Sequence, residues 1–159
     1  MTSRSSAAAA APQTLDHPGI AARVPHSGAM CLLDSLVACD ARELRCLAAA
    51  HTDPAHPLRS GGVLPSVAGI ELAAQAMALH GALAAAAGAP PKAGLLASAR
   101  DVTLHVARLD DAPGPLAVHV VRLAGDTLQA RYAFDIADAR GRLLVEGRAA
   151  VVLDAGTMK

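Results

Sequence analysis

The sequence predicts an α+β domain in which an antiparallel sheet wraps around one long helix. Two observations predict it: a single uninterrupted run of helix formers from Val67 to Ala87, and a C-terminal half of alternating segments separated by turn residues. Composition supplies a third, since 159 residues that are 53% hydrophobic and 18% charged suit one compact domain with a real core. Aromatic residues make up only 1% of the chain, Tyr132 and Phe134, so Ala, Leu and Val must fill that core. Small side chains let helix and sheet approach closely.

In chain order, residues 1–19 are expected to be a flexible lead-in, 20–154 a single domain and 155–159 a tail. The alanine run near the N-terminus is too short and too weakly apolar for a secretory signal. A turn-like PHSG at 25–28 precedes an apolar stretch, Met30 to Cys39, that suits a strand or a short helix. Propensity makes RELRCLAAA at 42–50 helical, with the loop DPAHPLRSGG as its boundary. For the long helix Ser66 is a candidate cap, and Gly88 with Pro90 and Pro91 ends it after about six turns. Apolar residues lie all round this helix, which predicts an enclosed one. Four strands follow; in TLQARYAFDIA the residues Leu128, Ala130, Tyr132, Phe134 and Ile136 share one face.

Formal net charge is zero, which removes the electrostatic footprint of nucleic-acid or anionic-membrane binding. Cys31, Cys39 and Cys46 lack CxxC spacing and read as buried free thiols in a reducing, cytoplasmic compartment. No stretch approaches the ~20 apolar residues of a membrane span. The seven histidines show no HxxxH or HxH pairing with carboxylates, so no metal site is expected.

Four motifs carry a resemblance: PHSGAMCLLD at 25–34, HTDPAHPLR at 51–59, LPSVAGIELAAQAMALHG at 64–81 and GRAAVVL at 147–153. Together, over residues 20–154, they resemble the hotdog-fold 3-hydroxyacyl-ACP dehydratases, and most closely the divergent dehydratase subunits of aryl-polyene-type biosynthesis. The resemblance implies a curved sheet around the central helix, edge-to-edge dimers with active sites at the interface, and a strand at 42–51. It also implies a substrate carried on the phosphopantetheine arm of an acyl carrier protein, no cofactor of the enzyme's own, and a homodimer or a heterodimer with another hotdog dehydratase.

Dehydration of a 3-hydroxyacyl thioester needs a base for the α-proton, an acid for the leaving hydroxyl and a polarised carbonyl. The resemblance places the acid at Glu71, where burial would raise a carboxyl pKa and the helix N-terminus would oppose part of the rise. A structural alternative is a carboxylate satisfied by backbone or by Arg59. Gln75 shares a face with Glu71 at i,i+4 and suits orienting the carboxyl, binding substrate or bonding a loop. The base is His51, which heads H-x-DP, or His56, fifteen positions before Glu71. His26 matches an architectural position in the family, and His80 falls on the helix face opposite Glu71. Gly69 would let an acyl chain approach the helix, where relatives polarise the thioester carbonyl with a backbone N–H. Arg59, Arg100 and Arg122 are candidates for receiving the acidic carrier protein. Two other readings remain open: a non-catalytic or half-site partner of a heterodimeric hotdog dehydratase, and a hotdog acyl thioesterase.

Overall fold

The computed structural model describes residues 14–25, 28–84, 95–126 and 128–152. A short helix, α1 (His17–Ala21), leads into β1 (Ser35–Cys39) and β2 (Glu43–Ala48), followed by the long helix α2 (Ala68–Ala84). Four long strands complete the fold: β3 (Leu95–Leu104), β4 (Leu116–Gly125), β5 (Gln129–Ala137) and β6 (Leu143–Val152). All six strands form one antiparallel sheet in the order β1-β2-β4-β5-β6-β3. The helix lies against β2, β4, β5 and β6. This is the hotdog arrangement that the motifs imply. Among the described residues no helix is long and apolar enough to cross a membrane.

The segment 42–50 is a strand, against its helix propensity and in line with the resemblance. Period-two burial decides it: Leu44, Cys46 and Ala48 point into the core while Glu43 and Arg45 face outwards, a pattern that pairing with β4 fixes in register. Of the Met30–Cys39 stretch, Gly28–Met30 closes a 3₁₀ turn and only Ser35–Cys39 extends into a strand. The fold also begins earlier than residue 20. Leu15 exchanges backbone hydrogen bonds with Leu36, and His17 Nδ1 bonds Leu33 O at 2.9 Å. Residues 1–13, His26, the end of the long helix at 85–88 and the tail 155–159 lie outside the described residues.

The two aromatic side chains stand on β5 with Ile136 and face the helix, as the alternation predicts, whereas Leu128 is exposed before the strand begins. Helix and sheet meet closely at Gly69: a Cβ there would lie 2.9 Å from Ile136 Cδ1 and 3.2 Å from Val145 Cγ2. The glycine therefore admits the sheet. Cys31 and Cys46 are buried free thiols and Cys39 is partly exposed; burial pushes the Cys46 thiol up to about 12.

α2 is not enclosed all round. Its sheet side carries Leu72, Ala73, Ala76, Met77 and Leu79, all buried. One stripe, however, stays open to half-open: Val67 just before the helix, then Ile70, Glu71, Ala74 and Ala78. Helical spacing puts these residues on a single line that the chain's own sheet leaves uncovered.

Candidate active site

The site is built from the first turns of α2, the segment 28–34 and the loop 49–62. Ala68 N–H donates to Pro65 O and Gly69 N–H to Ser66 O at 3.0 Å, so the helix opens on tight backbone bonds and the Gly69 amide is engaged. With its bare face filled by Ile136 and Val145, Gly69 is a close-packing position, which corrects its expected place against an acyl chain.

Gln75 is fully buried and uses its amide completely. Its Oε1 accepts from Leu32 N–H at 2.9 Å, while Nε2 donates to Met30 O at 2.7 Å and to Glu71 Oε1 at 3.3 Å. One side chain thus fastens the 28–34 segment to the helix and sets the Glu71 carboxyl. The same residue thus bonds both a neighbouring segment and the Glu71 carboxyl. Two residues further on, Asp34 receives Ala49 N–H at 2.6 Å and gives its own N–H to Leu47 O, tying this segment to the approach of His51.

His51 stands in a 3₁₀ turn, Ala50–Thr52, and is buried. Its Nε2 lies 2.9 Å from Ala112 O. A carbonyl can only accept, so Nε2 carries the hydrogen and, in the neutral ring, Nδ1 presents a lone pair. That Nδ1 is a buried polar atom without a hydrogen-bond partner among the described residues. Unpaired buried groups are costly enough to need a reason. Gly114 lies directly against the ring: a Cβ at that position would sit 2.2 Å from His51 Cε1.

His56 is also buried, and its Nδ1 accepts Leu58 N–H at 3.1 Å. Burial, followed by the Arg59 guanidinium, holds its pKa below the usual histidine range; Asp53 opposes the shift and His51 adds to it. The two candidate bases are therefore neighbours. His51 bonds Ala112 O and His56 bonds Leu58 N–H, both backbone groups.

Arg59 clamps this loop, donating to the carbonyls of Asp53 (2.8 Å), Gly62 (3.2 Å) and His51 (3.3 Å), with Asp110 at 3.8 Å. Asp110 in turn accepts Leu64 N–H at 2.9 Å and pairs with Arg108, which holds its carboxyl well below the usual range. Arg59 is thus a structural cation, with 15% of its side chain exposed, and it is not available as a docking residue. Arg122 falls in register with Tyr132, whose side chain is on the buried face, while Arg100 stays exposed on the outer one.

His80 does not approach Glu71, as the helical spacing requires. It is buried between Tyr132 OH, 2.8 Å from Nδ1, and Asp40 O, 2.8 Å from Nε2. Arg59 was legible only as a docking cation or a partner of Glu71, and its clamp on the loop was not; Asp34, Asp110 and Gly114 were not legible as site residues at all. Each acts through a backbone carbonyl, an amide or an absent side chain far away in sequence, and no local pattern announces such a partner.

Beside the start of α2 lies an open concavity of about 520 Å³, edged by Val67 and Leu104, both about half exposed. The site in one chain is therefore a carboxylate with its amide support on an uncovered helix stripe, and two neighbouring imidazoles on a clamped loop.

The family model of the ApeP-like dehydratases, described as ApeP dehydratase, matches residues 18–157. No curated protein sequence matches the chain significantly. Among solved structures, the chain is similar to the dehydratase heterocomplex ApeI:P from Xenorhabdus doucetiae. The TM-score is 0.75 and the identity 23%, over 87% of this chain and 92% of that one. A thioesterase from Haemophilus influenzae aligns with TM-score 0.62 and 14% identity over 89% and 92%. Zebra fish thioesterase superfamily member 2 aligns with TM-score 0.59 and 15% identity over 87% and 99%. These likenesses establish the shared fold, and the family match over nearly the whole domain establishes kinship: the chain belongs to the ApeP-like dehydratase family.

Proposed function

We propose that the chain dehydrates 3-hydroxyacyl-[acyl carrier protein] to the trans-2-enoyl thioester in fatty acid or polyene-type biosynthesis, as one half of a site completed by a second hotdog subunit. The observation that carries this reading is the position of Glu71. It lies on the one stripe of α2 left uncovered by the sheet, among apolar neighbours and held by Gln75. An acid placed there faces whatever covers the stripe.

In this mechanism a histidine of the loop, His51 with its bare Nδ1 or His56 beside it, takes the α-proton. Glu71, in its protonated form, gives a proton to the departing 3-hydroxyl. One C–H and one C–O bond break, a C=C bond forms and water leaves. This reading sets Glu71 and the loop histidine at a site that a second hotdog subunit completes. β3 supports such an assembly, since it is a ten-residue strand at one edge of the sheet with no strand on its outer side among the described residues. The substrate arrives on the phosphopantetheine arm of an acyl carrier protein, in the cytoplasm, and the reaction uses no cofactor bound by the enzyme.

A second reading, a partner subunit that contributes no chemistry, is favoured by the heterocomplex among the similar structures. Mass spectrometry of a 3-hydroxyacyl carrier protein separates the two, using the chain alone, the chain with a second hotdog dehydratase, and the same mixture carrying Glu71→Gln. The proposal expects loss of one water that the Glu71→Gln variant abolishes. Unchanged turnover in that variant assigns the chemistry to the partner.

A further inference from the structure

The outer face of the sheet, turned away from α2, gathers three arginines from three strands. Arg100 on β3 lies directly opposite Arg148 on β6, and Arg131 on β5 pairs with Ala150, two residues along from Arg148. Cross-strand partners are about 5 Å apart and diagonal ones about 7–8 Å, so the three side chains leave the sheet from one small patch. All three are exposed. They line a concavity of about 600 Å³ together with Ser98, Gln129 and Asp101.

Like charges set directly opposite each other destabilise a sheet. A fold that places Arg100 across from Arg148 with Arg131 on the diagonal, and gives none of them an ion pair among the described residues, has no internal use for the cluster. The acidic side chains of the same face are engaged elsewhere: Asp135 lies 3.0 Å from His119 Nδ1, and Glu146 lies 3.7 Å from His105. Asp101, at the rim, offsets one of the three positive charges and leaves an excess of two. Guanidinium groups offer planar pairs of N–H donors that match phosphate oxygens, while Ser98 and Gln129 add neutral donors.

We propose that Arg100, Arg131 and Arg148 form a binding site for a phosphoryl group on the outer face of the sheet, separate from Glu71 and the imidazole loop. The patch is compact, which suits one tetrahedral oxyanion with two or more negative charges better than an extended acidic surface. Pairing along the β3 edge would use backbone groups and leave this face open. The group could come as a free anion or as part of an organic phosphate such as the pantetheine-bearing coenzyme A, and the two sources differ in the test.

The test is isothermal titration of the full chain with inorganic phosphate, pyrophosphate, coenzyme A and phosphate-free pantetheine, repeated on Arg148→Gln, Arg131→Gln and the rescue variant Arg148→Lys. These side chains have no ion pair to lose among the described residues, and circular dichroism checks that the variants fold. Saturable binding of pyrophosphate or phosphate, weakened at least tenfold in both Gln variants and partly restored by Lys, supports the site with a free anion as its ligand. Binding of coenzyme A alone, with the same sensitivity and no binding of pantetheine, supports it with an organic phosphate. No saturable binding of any probe, binding unchanged in the Gln variants, or pantetheine binding as well as coenzyme A, overturns it.

Discussion

Replacing Gln75 with Leu keeps the volume of a fully buried side chain and removes every hydrogen bond it makes. Leu32 N–H, in a residue 3% exposed, then loses its acceptor, and Met30 O loses its donor in a partly buried setting. A stranded buried group costs about 1–3 kcal/mol, with Met30 at the low end. The two together amount to about 2–4 kcal/mol, from which the better burial of an apolar side chain recovers about 1 kcal/mol. The net loss of about 1–3 kcal/mol is a sizeable part of an ordinary domain's roughly 5–15 kcal/mol but leaves the chain folded. Urea unfolding measures the total, and hydrogen exchange at the Leu32 amide locates it. Both are expected to change, with the segment 28–34 opening more often than the rest of the core. A loss below about 1 kcal/mol with the Leu32 amide as protected as before would refute the role given to this side chain.

The remaining expectations are narrower. Gly69→Ala sets a methyl 2.9 Å from Ile136 Cδ1, and overpacking of about 1–3 kcal/mol outweighs a helical gain of at most about 1 kcal/mol; a rise in melting temperature would contradict the close-packing assignment. Gly114→Ala drives a methyl into the His51 ring, so the bond to Ala112 O should break and turnover fall by far more than stability. The His51 Nε2–H resonance is the direct reporter, and its persistence would sink the idea. Burial holds His80, and likewise His56, below the usual histidine value, so the unfolded chain binds their protons first as pH falls. Stability is therefore complete above about pH 6.5 and declines below it; equal melting temperatures at about pH 7.5 and 5.5 would argue against both assignments. Asp40, lowered chiefly by the backbone N–H groups it accepts, acts only in the more acidic carboxylate range and does not blur that window.

The architecture was legible wherever a period ran unbroken. Ala130, Tyr132, Phe134 and Ile136 alternate so regularly that their buried face follows from spacing alone. The strand at 43–48 was not legible by propensity, because Glu, Leu, Arg and Ala all favour helix, and pairing with β4 overrides that preference. The place of Glu71 and Gln75 on one helix face could be read from their spacing of four, but Gln75's partners, Leu32 and Met30, lie more than forty residues away. Gly69 misled, and Gly114 gave no signal. At Gly69 and Gly114 a missing side chain marks a close approach in both cases, but whether the visitor is substrate, sheet or imidazole depends on the tertiary fold.

The contact between Tyr132 and His80 gives the protein a built-in optical reporter. The chain has no tryptophan and a single tyrosine, and that tyrosine hands its hydroxyl hydrogen to the helix while its ring meets the imidazole edge-on, centroids 5.6 Å apart. All tyrosine emission from the molecule thus comes from the seam between helix and sheet. Folding, and every variant that pries α2 from β5, can be followed in the unlabelled protein through one chromophore of known position.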